Sequence, residues 1–246
     1  MTCCCAGSLL EVPLLPVDEV QVWVWRCPPY PAQATYHDLL SVQERRRAAR
    51  FVFDHDRARY ITAHAGLRLV LGGLLGISGA EIALIDDFNG KPHLDCGSHR
   101  PPLYFNLSHS HDLAALAVSA SFEVGLDIEL LRAADLSGVV SMFSDSEQAA
   151  LSRLPQEQRM EAAFTAWTRK EAFVKATGLG LNTALDSFDV SLEPDAPARL
   201  LGVAGLPDEA DAWQLTHLVP APGYIGAVAA RALGWRVVLN EFLILS

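Results

Sequence analysis

Apolar and polar residues alternate with period two at several places in this chain, and a helical period fills the stretches between them. At 20–25, Val20, Val22 and Val24 alternate with Gln21, Trp23 and Trp25, the spacing of a half-buried strand. Residues 103–107 read as a second strand that ends at Ser108 and His109, and 113–118 as a further, apolar one. In V-G-L-D-I-E-L, residues 124–130, Val124, Leu126, Ile128 and Leu130 share one face, while Gly125, Asp127 and Glu129 share the other. Later strands are expected around 188–192, 213–218 and 225–229, with a last extended segment at 237–245.

Helix signals are spaced just as regularly. Ser41-x-x-Glu44 and Ser144-x-x-Glu147 are capping boxes, and Ser78-x-x-Glu81 predicts one more short helix. Over 56–75, Ile61, Leu67, Leu71 and Leu74 form a core-facing stripe that stops at Gly76, a C′ glycine. In W-T-R-K-E-A-F-V-K, residues 167–175, a helix places Trp167, Glu171 and Lys175 on one stripe. Asn89-Gly90 predicts a tight turn that presents Lys91.

The two halves repeat. Ser41 to Ser144 and Glu44 to Glu147 are both 103 residues apart, and Gly76 to Gly178 is 102, which favours an internal duplication. Each half is then a strand, capped helices and further strands. The expected division is a poorly ordered lead-in at 1–19, interrupted by Pro13 and Pro16, an N-terminal lobe at 20–121 and a C-terminal lobe at 122–246.

Composition narrows the partners. With 50% hydrophobic and 20% charged residues, the 246-residue chain is an ordinary globular one, and its net charge of −10 is the wrong sign for a general nucleic-acid or anionic-membrane binder. No apolar run reaches a membrane span, and the first residues lack the basic and apolar regions of a signal peptide, so a cytoplasmic location is expected. Cys3, Cys4, Cys5, Cys27 and Cys96, an odd count without C-x-x-C spacing, argue against a disulfide framework or structural zinc.

Against this acidic background two clusters carry chemistry. Asp127, Glu129, Glu171 and Lys175 could meet at one point, a set suited to a hard divalent cation with phosphate. Their plain alternatives are a solvated strand face and a surface ion pair worth ~0.3–0.5 kcal/mol. Arg45, Arg46, Arg47 and Arg50 either meet an anion locally or form a solvated face balanced by Glu44, Asp54 and Asp56.

V-G-L-D-I-E followed some forty residues later by W-x-x-K-E-A-x-x-K resembles the paired signature of the 4′-phosphopantetheinyl transferases in their longer, Sfp-type form. The resemblance covers roughly residues 36–230. It implies an α+β pseudo-dimer of two similar lobes, each a small antiparallel sheet packed by a long helix, with the active site in the cleft between them, and a monomer. The implied reaction moves the 4′-phosphopantetheine arm of coenzyme A to a serine hydroxyl of an apo acyl, peptidyl or aryl carrier protein, with Mg²⁺ as cofactor and Mn²⁺ able to substitute. Carried over by position, Asp127, Glu129 and Glu171 are the metal-binding acids, with Asp127, Glu171 and Lys175 in catalysis. Lys170 and Lys175 follow the family's helix, Lys175 facing the pyrophosphate. Asn106, Ser108 and His109 match the segment that holds a coenzyme A phosphate. Lys91 matches G-K-P near the nucleotide, and Arg47 falls at a basic contact to the 3′-phosphate, where several relatives have lysines. The rival reading is a non-catalytic module that binds coenzyme A or another nucleotide. Another phosphotransferase class would normally show a P-loop or G-x-G-x-x-G, and neither motif is present.

Overall fold

The computed structural model describes residues 15–28, 34–95, 103–133, 136–180, 183–193 and 196–242. Cys3 to Cys5, Cys96, most of the lead-in and the end of the last expected strand lie outside them. Cys27 is buried and unpaired.

β1 (Glu19–Arg26) leads through α1 (Ala34–Leu39) to α2 (Val42–Ala48), whose N-terminus carries both hydrogen bonds of the Ser41/Glu44 capping box. α3 (Asp54–Leu75) follows, with Gly76 in the left-handed conformation at φ 66°. A hairpin of β2 (Leu84–Asp86) and β3 (Pro92–Leu94) precedes β4 (Tyr104–Ser110), β5 (Leu113–Ser119) and β6 (Val124–Leu130). Ser108 and His109 therefore lie inside a strand rather than at its end. The second half repeats the plan. α4 (Ser137–Val140) and α5 (Asp145–Arg153), with the Ser144/Glu147 box complete, lead to α6 (Gln156–Thr177) and to Gly178 at φ 68°. α3 and α6 are each 22 residues long and end in the same left-handed glycine cap. β7 (Phe188–Val190), β8 (Leu200–Val203), β9 (Gln214–Leu218), β10 (Tyr224–Ala230) and β11 (Arg236–Glu241) complete the chain.

The strands form a four-stranded sheet, β11-β1-β5-β4, a three-stranded sheet, β6-β10-β9, and two small hairpins. All pairings are antiparallel except β1 with β11, so the last strand crosses back to the sheet begun by the first. Phe242, just beyond it, packs edge-on against Trp23 and Trp25. One core, including Leu67, Leu71, Phe105 and Leu116, lies between α3 and the larger sheet; another, including Ala166, Phe173, Ala227 and Ala229, lies between α6 and the smaller. Between the sheets Val22, Ala115, Leu126, Ile128 and Val228 form a third. The mixed α+β class and the pairing of small sheets with long helices follow the sequence pattern.

The duplication extends into the interior. In the first half the buried Glu44 pairs with Arg68 of α3 at 2.8 Å, and Arg68 also donates to the carbonyls of Gly79 and Ile82. Burial pushes the Glu44 carboxyl up, but hydrogen bonds from His64 and the Ser41 N–H, with the Arg68 charge, bring it down to about 2. In the second half Glu147 pairs with Lys170 of α6 at 2.7 Å, and Lys170 donates to the carbonyls of Leu185 and Phe188. Each capping glutamate thus fastens a long helix and the loop after it through one buried base.

Candidate active site in the cleft

From Ala162 to Ala176 every residue of α6 is buried except Trp167, Glu171 and Lys175. The spacing that put these three on one stripe is therefore the spacing of the helix face left open to the cleft. β6 lies directly beneath. Its Gly125 permits this, because a Cβ there would sit 2.0 Å from the Ala172 carbonyl oxygen and 2.3 Å from the Ala176 nitrogen. With helix and strand this close, Lys175 Nζ reaches Asp127 Oδ1 at 2.6 Å, the Leu126 carbonyl at 3.1 Å and Ser108 Oγ at 3.3 Å.

β4 and β6 are the facing edges of the two sheets, and side chains join them. Asn106 Oδ1, Ser108 Oγ and Ser110 Oγ accept from the backbone N–H groups of Leu126, Ile128 and Leu130, each twenty residues further along the chain. This constant offset makes the two strands a parallel pair bridged by alternate side chains instead of by carbonyls. Each serine, having accepted an N–H, turns its own proton to a carboxylate: Ser108 to Asp127 Oδ1 at 3.1 Å, Ser110 to Glu129 Oε2 at 2.6 Å. Ser110 is a site residue that the sequence reading passed over, although the N-x-S-x-S alternation was there to be seen.

The carboxylates are electrostatically crowded. Asp127, buried to 5% exposure, has its pKa raised by burial against the pull of Lys175, and its Oδ2 has no hydrogen-bond partner. Burial also raises Glu129 and Glu171, and the Asp127 charge raises both further. Among the described residues no three acids, histidines or cysteines stand at metal-ligand spacing. Lys175 and Ser108 both donate to Asp127 Oδ1.

His109, exposed, lies on the face of β4 opposite Ser108. Desolvation by the surrounding walls, then the positive groups of His64, Lys175, Arg47 and Arg59, hold its pKa below the ordinary value. Arg46, Arg47 and Arg50 line a recess of about 660 Å³ with Gln43 and Phe51, and the Arg47 guanidinium lies over the Tyr60 ring at 5.9 Å. A second recess, about 460 Å³, shares Gln43 and Arg47 with the first and includes Tyr60 and His64. At its far side Gly90 and Pro92 also border a third cavity of about 630 Å³, lined by Lys91, Asn106, Trp167, Glu171 and Lys175. Gln43 and Arg47 thus link the first recess to the second, and Gly90 and Pro92 the second to the third, in a row from the arginines to the open face of α6.

Two lysines stand differently from expectation. Lys170 has no exposed surface; its ammonium, bound to Glu147 and two carbonyls, points into the second lobe away from the cleft. Burial pulls its pKa down despite Glu147. Lys91 does line the cavity, but its Nζ is held by Glu123 Oε2 at 2.6 Å and by the Val124 carbonyl at 3.2 Å. Glu123, another residue the sequence reading did not single out, ties the hairpin to the root of β6.

Residues 123–229 match the profile of the 4′-phosphopantetheinyl transferase superfamily, and residues 25–121 match that of the 4′-phosphopantetheinyl transferase N-terminal region. The chain is similar to 4′-phosphopantetheinyl transferase HetI of Nostoc sp., 36% identical over 93% of this chain and 95% of that protein. It is also similar to 4′-phosphopantetheinyl transferase psf-1 of Bacillus pumilus, 34% identical over 78% of this chain and 79% of that one. With 4′-phosphopantetheinyl transferase Sfp of Bacillus subtilis it shares 27% identity over 79% of this chain and 84% of that protein.

Proposed function

The chain belongs to the 4′-phosphopantetheinyl transferase family, and we propose that its cleft moves the phosphopantetheine arm of coenzyme A to the serine of an apo carrier protein, releasing adenosine 3′,5′-bisphosphate. The observation that carries this reading is the open stripe of α6: Trp167, Glu171 and Lys175 line the cavity from the one face of the helix that is not buried, and Lys175 is bonded to Asp127. A regulatory module that only binds a nucleotide has no use for a half-buried carboxylate beside such a pair.

Coenzyme A lies along the row of recesses with its 3′-phosphate at the arginines and its diphosphate at Lys175. Arg47 and His109 bind the 3′-phosphate. In the transfer, the carrier's serine oxygen bonds to the phosphorus that bears pantetheine, and the bond from that phosphorus to the adenosine-side phosphate oxygen breaks. The serine proton passes to Glu171, a stronger base than a free carboxylate because burial and the Asp127 charge hold its carboxyl above the ordinary value. Lys175 has its three protons on three acceptors. The longest contact, 3.3 Å to Ser108, is the one a phosphate oxygen displaces most readily. Asp127, Glu129 and Glu171 offer hard oxygen donors, and the buried Asp127 Oδ2, which has no hydrogen-bond partner, supports these three as the residues that would hold Mg²⁺. Bound there, the ion would neutralise the diphosphate's charge.

Two expected results separate the residue roles. Arg47→Ala raises the KM for coenzyme A by roughly tenfold to a hundredfold, the cost of a charge-assisted hydrogen bond, while the KM for 3′-dephospho-coenzyme A barely moves. Equal effects on the two substrates would return Arg47 to a solvated face. Lys170→Met destabilises the fold by about 3–5 kcal/mol in urea unfolding, because Glu147 is left as a buried unpaired charge, and leaves the KM for coenzyme A of the folded fraction unchanged. A raised KM with unaltered stability would restore Lys170 to the cofactor.

Chromatographic assay of adenosine 3′,5′-bisphosphate tests the reaction itself. The nucleotide is released only when apo carrier protein, coenzyme A and Mg²⁺ are all present; binding of coenzyme A by calorimetry with no release under any of these conditions would favour the non-catalytic module.

A further inference from the structure

Phe88 is fully exposed at the tip of the β2–β3 hairpin. The turn does not need it. Asp87 Oδ1 accepts from the N–H groups of Asn89 and Lys91 at 2.8 and 2.9 Å, and Gly90 supplies the positive φ of 86°, so the backbone is set by the flanking residues. The tip is also fastened across the cleft. Asn89 Nδ2 donates to the Gly178 carbonyl at 2.8 Å, while Lys91 is held by Glu123. Phe88 and Leu179 are the immediate chain neighbours of the two bonded residues, Asn89 and Gly178, and Leu179 is 52% exposed. Met142, 44% exposed, lines the cavity on the open face of α6, as do Asn89, Gly178 and Gly180, the chain neighbours of Phe88 and Leu179.

Charge does not explain what meets this rim. Of the cavity's two lysines, Lys91 is paired with Glu123 and Lys175 sits inside, bonded to Asp127 and assigned to the diphosphate, while Glu171 and Asp186 add negative charge to its lining. A protein that inserts a serine here must cover the rim, and the contact open to it is apolar. Exposed aromatic and aliphatic side chains held on a rigid scaffold are the usual anchors of a protein interface, since little ordering entropy is lost when they are covered.

We propose that Phe88 and Leu179, with Met142, form the docking rim for the carrier protein and receive apolar side chains flanking its modified serine. This rests on the transfer reading above and goes further by assigning the partner's seat. It also gives the Glu123–Lys91 and Asn89–Gly178 contacts a role: they hold Phe88 in place from the other lobe.

Steady-state kinetics of Phe88→Ser/Leu179→Ser, varying carrier protein and coenzyme A in turn, test the assignment. The KM for carrier protein rises about tenfold or more, the effect of losing an interface anchor, while the KM for coenzyme A and the melting temperature stay at the wild-type values. Phe88→Leu, which keeps an apolar tip, recovers most of the loss. An unchanged KM for carrier protein overturns the proposal, and so does an equal rise for coenzyme A, which would assign the two side chains to the nucleotide. Failure of the wild-type chain to modify any carrier would instead count against the transfer reading.

Discussion

Glu171→Gln lowers kcat by a factor of ~10²–10⁴, the range for loss of a general base, and leaves coenzyme A binding intact. The side chain is isosteric and half-buried on the open stripe of α6, so the fold loses little. Its pH signature distinguishes base from bystander. Burial and the Asp127 charge raise the Glu171 pKa above its ordinary 4.5. Protonation therefore begins at a higher pH than for a free carboxylate, and the rate falls as pH drops through that raised value. Removing the base flattens this acidic limb. Steady-state rates of carrier modification from about pH 5.5 to 9 check it; a variant that keeps both its rate and its acidic limb would take the base role from Glu171.

Asp127→Ala has an effect of similar size for a different reason. The carboxylate is 5% exposed, and its removal takes from Lys175 Nζ its shortest contact, at 2.6 Å, and from Ser108 Oγ its acceptor. Lys175 is then left with the Leu126 carbonyl and Ser108, free to turn away from the diphosphate. Loss of one preorganised charge-stabilising group costs ~10²–10³ in kcat. Circular dichroism and intact transfer rates measured on the same sample separate this from unfolding. Wild-type turnover in a folded Asp127→Ala variant would remove the residue from the site.

The short-range part of this arrangement was legible in the sequence because it depends on period alone. Alternation put Gly125, Asp127 and Glu129 on one strand face, and the four-residue spacing put Trp167, Glu171 and Lys175 on one helix face. The glycine that lets the two faces touch lies within the first motif. The twin capping boxes and left-handed glycines likewise showed the repeated plan. What escaped depends on long-range pairing. Asn106, Ser108 and Ser110 bridge two sheet edges, and nothing local tells a serine that takes a backbone N–H from one that awaits a phosphate. Lys170 and Lys175 stand on one helix five residues apart, yet the 3.6-residue turn points the first to Glu147 in the interior and the second to the cleft. The parallel return of β11 to β1 is equally invisible to a local pattern, since an edge strand with partial burial reads alike in either sheet.

The central claim is that this cleft transfers the phosphopantetheine arm to a serine of a partner protein. Intact-mass measurement of an apo carrier protein after incubation with the chain, coenzyme A and Mg²⁺ tests it most directly, alongside the same carrier with its serine replaced by alanine. The account predicts a gain equal to the phosphopantetheine arm on the first carrier and none on the second. No gain on the first, with coenzyme A demonstrably bound, would contradict it.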